Sequence, residues 1–430
     1  MYFPFGSMPE HKNVRRVLLL VVTTFISLPV FAQQTIPLTL AEAEDRALVA
    51  EPGQQALQAK AAALRERGVV AGALPDPMLR VGLNNFPIQS GGFTTEGMTH
   101  AAVGLRQAFP AGKTRSINTR RFDLMASEMN ENADARGRNV LTAARSAWLD
   151  LYYWELAHGL VLESRPFFDD LATITRSLYA VGRKSQQDVL RAELELSRLD
   201  DRLIEIERQR ARAVAVLGEW IGQDAARPVA RKLPGWEQIP TLDSMQMMLQ
   251  QHPVIRAADS QIEARGAGVD LATERSKPDW ALDLGYSYRD GFLPSGEPRA
   301  DFITVGVTVG LPFFRKKSVD SSLSAALQER SAAQSAREQT LRGLQSQLNA
   351  EYALWQDLTR RLALYDTRIL DQTKDHAEAS LLGYQSDQGD FSDVMRGYID
   401  DLNTRIDHIR LQVERAQSYA VLANMGGFPQ

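Results

Sequence analysis

Two kinds of hydrophobic pattern divide this chain, and their order occurs twice. Trp280, Leu282, Leu284, Tyr286 and Tyr288 alternate with Ala281, Asp283, Gly285, Ser287 and Arg289, and Ile303, Val305, Val307, Val309 and Leu311 alternate with Phe302, Thr304, Gly306, Thr308 and Gly310. The same pattern occurs more weakly earlier, where Leu79, Val81 and Leu83 alternate with Arg80, Gly82 and Asn84, and Ala101, Val103 and Leu105 with Ala102, Gly104 and Arg106. Period two predicts strands with one large apolar face and one small or polar face. Each strand pair is entered through a proline segment (Leu74-Pro75-Asp76, then Lys277-Pro278-Asp279) and left through another (Phe109-Pro110, then Leu311-Pro312). Proline fixes its own φ and disfavours helix in the residue before it, which suits a chain turning between strand and helix.

Helical periodicity fills the rest. From Lys113 to Val181 only Pro166 interrupts it, predicting a helix on the order of 100 Å long at 1.5 Å per residue. The returning segment carries a seam at Val189, Ala192, Leu196, Leu199, Leu203, Ile206, Arg210, Ala213 and Leu217. A second seam follows at Met395, Ile399, Leu402, Ile406, Ile409, Val413, Ala416, Ala420 and Ala423. Spacings of three and four mark coiled-coil packing surfaces, with helices crossing at a shallow angle. Arg191, Glu193, Glu195, Arg198, Asp200, Asp201 and Arg202 crowd around the first seam, suiting a wet exterior and a wet channel lining alike.

The strands read as about 9–11 residues long, the length a tilted strand needs to cross a bilayer. The alternative, a soluble sheet packed on a helix, is weakened because the helices use their seams on one another. An open sheet edge in lipid leaves backbone groups unpaired at several kcal/mol each, and known membrane barrels begin at about eight strands. About four strands per chain therefore require a homo-oligomer to close a barrel; three copies would give about twelve strands, and closure alone also allows two. The expected fold is mainly α with a small β part: internally duplicated coiled-coil helices beside strands that join a shared barrel.

Composition narrows the chemistry. Among 430 residues the charged fraction is 24% with net charge −4, so nothing points to nucleic acid. Cysteine is absent, which excludes disulfides, thiolate metal sites, a cysteine nucleophile and a lipoprotein anchor. His11, Lys12, Arg15 and Arg16 precede the apolar run from Val17 to Leu28, and Val30-Phe31-Ala32 fits cleavage before Gln33. This reads as a secretory signal, because about fourteen apolar-dominated residues are short for a spanning helix. Met245, Met247, Met248 and His252 suggest a soft-metal site but read better as core filler. No catalytic constellation, phosphate loop or cofactor motif is present, so neither an enzyme nor a cofactor is expected.

With the duplication go two short motifs: Tyr179, Gly182, Ser185, Asp188 and Leu190 in the first half, and Tyr384, Asp387, Gly389, Asp390, Phe391, Asp393 and Met395 in the second. On these features the chain resembles the TolC-like outer-membrane efflux protein family from about Leu38 to Gly427. The resemblance implies a trimer with a joint outer-membrane barrel and a periplasmic helical tunnel. It implies a periplasmic adaptor and an inner-membrane pump of the resistance-nodulation-division type as partners, besides outer-membrane lipid. It divides the chain into a signal peptide at 1–32 and two repeats, 33–232 (strand pair 78–109, hairpin 112–222) and 233–430 (strand pair 279–311, hairpin 315–425). Gly182 can end a helix at φ > 0 and Ser185 with Asp188 can cap the next, so both motifs are placed at the periplasmic tip. Val181, Gly182, Arg183, Ser185, Asp387 and Gly389 are then the docking candidates. Asp188, Asp393 and Arg396 are the gate candidates, although Arg396 stands where the family often carries a second acid and Asp387 where it carries glycine. The implied function is an exit duct, with heavy-metal efflux as a weak further hint from Tyr384-Gln-Ser and Gly389-Asp390-Phe391. A type I secretion duct shares this fold, and a periplasmic adaptor is the competing class.

Overall fold

A helix begins each repeat's approach to its strands and stops just short of the first proline. In this computed structural model residues 36–49, 51–386 and 388–428 are described. The signal segment and Asp387 lie outside the described residues. Helix α1 (Leu40–Val49) starts at Thr39, whose Oγ1 accepts from the Glu42 N–H at 3.2 Å. Helix α2 (Pro52–Gly72) follows, with Glu51 capping it and proline in its first turn. Later in the chain α5 (Leu242–Leu249) is capped by Thr241, and α6 (Pro253–Glu274) by His252 ahead of Pro253. Proline is tolerated there because the first helical N–H has no intrahelical partner.

Strands β1 (Met78–Asn84), β2 (His100–Phe109), β3 (Asp279–Tyr288) and β4 (Phe302–Gly310) form one antiparallel sheet in the order β1-β2-β3-β4. At 7 residues β1 is shorter than the expected bilayer length, while β3 has 10. Pro75 and Pro77 precede β1, and without an N–H they cannot extend the ladder. Register joins the predicted faces across the sheet. Leu79, Leu105, Leu284 and Val305 make one apolar row, and Val81, Val103, Tyr286 and Ile303 the next. The opposite face carries Arg80, Gly104, Gly285 and Thr304 in one row and Met78, Arg106, Asp283 and Gly306 in another. Nothing among the described residues covers the apolar face: Leu79, Val81, Ile303, Val305 and Val307 are all exposed.

After β2 the chain enters α3 (Thr114–Ala180), 67 residues long and continuous through Pro166. It returns as α4 (Gln186–Ile221), whose buried residues include Val189, Ala192, Leu199, Ile206, Ala213 and Leu217 from the predicted seam. After β4 come α7 (Lys316–Leu364), a π-helical turn (Tyr365–Ile369), α8 (Leu370–Gln385) and α9 (Phe391–Gly426). The π turn inserts one residue's worth of slack into a helix that periodicity reads as uninterrupted. The α9 seam buries Met395, Leu402, Ile406, Val413, Ala416, Ala420 and Ala423.

Near the sheet α3 packs between α2 and α6, with Arg115 Nε donating to the Gly72 carbonyl at 2.8 Å and Arg120 pairing with Asp270 at 2.8 Å. Towards its other end α3 meets α4 and α9, through Arg165–Asp200 at 2.7 Å and Arg405–Glu163 at 3.1 Å. The main core lies between these regions around Trp148, Leu149, Leu151, Phe168 and Leu217. Trp148 is fully buried, and its Nε1–H donates to the Leu38 carbonyl at 3.2 Å. Leu38 in turn bridges in parallel to Val229, so the extended segment after α4 is tied to the segment before α1. Among the described residues no helix is long and apolar enough to cross a membrane.

Trp148→Ala is expected to cost about 3–5 kcal/mol, the usual loss for a large aromatic removed from a core. Trp148→Phe keeps most of the volume and should cost less. Denaturant midpoints of the two variants would check the order.

Candidate functional site: sheet edges, junctions and helical tip

The four strands leave two edges, β1 and β4, with no strand beyond them. Each edge strand connects directly to a helix that also bounds the packed helical layer: α2 leads into β1, and β4 leads into α7. Along the layer α2 packs on α3, α3 on α6 and α6 on α7. One pair of elements, α2–β1 and β4–α7, thus forms both lateral margins of helices and sheet together.

Aromatic rings lie at both ends of the apolar sheet face. Phe109 and Trp280 stack at 4.1 Å between centroids at the end from which the long helices leave, while Tyr286 and Tyr288 lie at the loop end. Between these levels β3 rises about 25–30 Å at 3.3 Å per residue, matching the apolar band of an outer-membrane barrel. On the other face Arg106 and Asp283 approach to 3.8 Å, and Thr308 Oγ1 donates to Asp283 at 2.8 Å. The loops between strands are joined by Arg299, which donates to the carbonyls of Thr94, Glu96 and Asp290.

The four candidate prolines occupy the four strand–helix junctions: Pro75 before β1, Pro110 after β2, Pro278 before β3 and Pro312 after β4. Glu274 organises the central pair. Its carboxylate pairs with Lys277 Nζ at 2.7 Å and accepts the Lys113 N–H at 2.8 Å where α3 begins. Gly112 adopts φ 51° beside it, and a Cβ there would lie 1.8 Å from Glu274 Oε2. The bond from Lys277 and then that from the Lys113 N–H hold the Glu274 carboxyl below its ordinary value.

At the opposite end of α3, Gly182 adopts φ 75° and the Arg183 N–H bonds to the Leu178 carbonyl at 2.9 Å, closing the helix. Ser185 and Asp188 form a reciprocal capping box, each bond 3.3 Å long. Val181 is exposed at this turn. In the second turn the Gln388 N–H bonds to the Gly383 carbonyl at 2.9 Å. A Cβ on Gly389 would approach Gly383 C and Tyr384 N at 3.2 Å, so glycine lets that turn close tightly. Asp393 pairs with Arg396 at 3.6 Å, both of them exposed. The two turns sit together: Lys184 Nζ is 4.2 Å from the Tyr384 ring centroid, and Arg191 bonds Ser392. Reading from sequence missed Tyr398 and Asp401. With Lys374 and Arg405 they line a cleft of about 460 Å³ between α8 and α9, where burial raises the Asp401 carboxyl. Asp401 adjoins seam residue Leu402, a position with no distinguishing signal. The methionines do not converge, since Met245 is core, Met247 is exposed and His252 Nδ1 accepts the Val254 N–H.

Residues 244–428 match the family model of outer membrane efflux proteins. About nine-tenths of the chain shares the fold of solved channels. CusC aligns at a TM-score of 0.76 and 14% identity, over 90% of this chain and 92% of its own. VceC from Vibrio cholerae aligns at 0.73 and 16%, over 90% and 96%. The open-state MtrE channel of Neisseria gonorrhoeae aligns at 0.70 and 16%, over 90% and 88%.

The later part of the chain thus matches the outer membrane efflux proteins, and the fold is that of solved channels of this kind. No curated protein matches the chain's sequence. The fold class expected from the alternating and heptad patterns, mainly α with a four-stranded sheet, is the one observed.

Because the Glu274 carboxyl is held below its ordinary value of about 4.3, its ion pair contributes fully above that value and is lost as pH falls through the lowered one. Acid is therefore expected to loosen the strand–helix junction as pH falls through the lowered value. Glu274→Gln should remove that part of the acid response while lowering stability near neutrality. Thermal denaturation from pH 3 to 8, wild type against variant, reads both effects.

Proposed function

We propose that this protein is the passive exit duct of a tripartite efflux system. In this reading three copies close a twelve-stranded barrel, and their helices form a periplasmic tunnel. A periplasmic adaptor docks at the tip, and an inner-membrane pump of the resistance-nodulation-division type drives cargo into the tunnel. The observation that carries the reading is the coincidence of margins, with α2–β1 on one side and β4–α7 on the other. Side-by-side copies satisfy the sheet edges and the helical flanks in one operation, and edges in lipid demand such satisfaction. A conduit needs no selective pocket, which accords with open, shallow clefts along the helices.

Val181, Gly182, Arg183, Ser185 and Gly389 are proposed as adaptor contacts, because they cluster at the end of the helices remote from the sheet. Asp387 belongs to the same proposal from its place in the sequence. Asp188 is occupied in its capping box, which leaves Asp393 as the gate residue proposed first. Copies of Asp393 around a closed tip would repel one another, and Arg396 one turn away offsets that repulsion.

Asp393→Ala should therefore alter single-channel conductance and cation block in planar bilayers. An unchanged conductance with unchanged block would remove Asp393 from the gate.

The cargo reading is tested in cells. A deletion strain should be sensitised to exported compounds and rescued by the wild-type gene, across transition metals, drugs and detergents. Sensitivity confined to metals supports a metal-extruding pump as partner. Broad drug and bile-salt sensitivity makes this a multidrug duct, and loss of a secreted protein alone would favour type I secretion.

A further inference from the structure

The chain contains a template for its own intermolecular seam. Setting Pro75 on Pro278 and Pro110 on Pro312 superimposes β1 on β3 and β2 on β4, residue for residue: Val81 on Leu284, Gly82 on Gly285, Gly104 on Gly306 and Leu105 on Val307. The hairpin registers obey this equivalence, since Leu79 opposes Leu105 as Leu282 opposes Val307, and Met78 opposes Arg106 as Ala281 opposes Thr308. The contact between repeats, β2 with β3, pairs Gly104 with Gly285 and Leu105 with Leu284. Repeating that contact from β4 to the β1 of another copy sets Gly306 against Gly82 and Val307 against Val81. The rows then continue unbroken, with large apolar residues on one face and glycine on the other. A slip of one residue would put Val307 opposite Gly82 and reverse one strand's faces.

The junction beneath the sheet carries a second, independent match. Within the chain, Gly112 and Lys113 pack over Glu274 and Lys277, in contact so close that only glycine fits. The equivalents of Gly112 and Lys113 are Phe314 and Arg315, and those of Glu274 and Lys277 are Ala71 and Leu74. In the single chain the rings on one side of that equivalent contact are bare, and on the other Leu74 is exposed beside a half-buried Ala71. Phe313 and Phe314 are 74% and 101% exposed, and Val70 and Leu74 are 75% and 40% exposed. The volumes are reversed: a small residue meets a large one within the chain, while a large ring faces a small side chain across the seam. The charges are removed as well, with an apolar pair standing in for the Glu274–Lys277 ion pair. Resting on the proposed closure with further copies, we infer its register, Val307 of one copy against Val81 of the next, and that Phe314 seats on the next copy's Ala71–Leu74 segment.

The absence of cysteine makes the test clean, because any disulfide must come from introduced residues. The full chain, inserted in the outer membrane, would be oxidised as V307C/V81C and as the frame-shifted pairs V307C/L79C and V307C/L83C. The expected result is loss of the monomer band to covalent oligomer in the first variant, with little in the other two. Preferential cross-linking of a shifted pair would overturn the register. The second pair, F314C/A71C, should also form intermolecular disulfides, and Phe314→Gly should lower the temperature at which the oligomer dissociates in detergent. If V307C/V81C cross-links but F314C/A71C does not, and Phe314→Gly leaves dissociation unchanged, the aromatic contact is refuted and the ring faces lipid. The mass of the detergent-extracted wild type separates the levels. A monomer would defeat the exit-duct assembly itself, whereas an oligomer with a shifted register would defeat only this seam.

Discussion

A backbone amide or carbonyl in hydrocarbon has no water to fall back on, and each one left unpaired costs several kcal/mol. In the proposed barrel that constraint governs this molecule. Its sheet has only four strands and two bare edges, and its apolar face is exposed along all of them. Nothing among the described residues relieves the edges. The helices flanking them, α2 and α7, are themselves the outermost members of the helical layer, so one margin runs along sheet and helices without a break. Whatever completes the sheet must also complete the helical wall, and copies of the same chain offer complementary margins for both.

Duplication makes this solution compact to encode, and the places where the repeats differ show where one constraint replaces another. The inner junction needs glycine at Gly112 because Glu274 occupies the space a side chain would use. The outer junction is uncovered among the described residues and carries the exposed Phe313-Phe314 instead. The tips differ similarly. Ser185 caps α4 with a reciprocal box, whereas Asp390 leads into α9 without a side-chain cap and its turn relies on close approach at Gly389. A long helix with an internal proline in the first repeat corresponds to one with a π turn in the second. Each is a local departure from ideal helix held in place by packing on its neighbours.

Much of the architecture was legible because periodicity and proline act locally. Alternation at Trp280–Tyr288 and Ile303–Leu311 fixes the faces of β3 and β4, and the seams from Val189 and Met395 give the buried stripes of α4 and α9. Other features depend on residues far apart and leave little local trace. The shortness of β1 follows from Pro75 and Pro77 at its start and from Asn85 at φ 51° at its end, a conformation that sequence signals only weakly. The π turn at Tyr365–Ile369 has an ordinary helical composition. The bridge of Leu38 to Val229 joins segments with no periodic pattern, and the cleft at Tyr398 and Asp401 exists only because α8 and α9 cross there.

The same distinction explains why the functional region is harder to read than the fold. An enzyme concentrates chemistry in a few residues whose types betray it; a conduit distributes its function over surfaces whose residues are individually ordinary. Glycine at Gly182 and the box at Ser185–Asp188 are visible because a turn demands particular backbone geometry. The Asp393–Arg396 pair becomes informative only in a ring, where like charges from several copies meet and the arginine sets how strongly they repel. In a single chain that pair is an exposed contact of small energetic weight. Symmetry, rather than any one side chain, would give it a role, which is why the closure of the sheet edges precedes every question about gating.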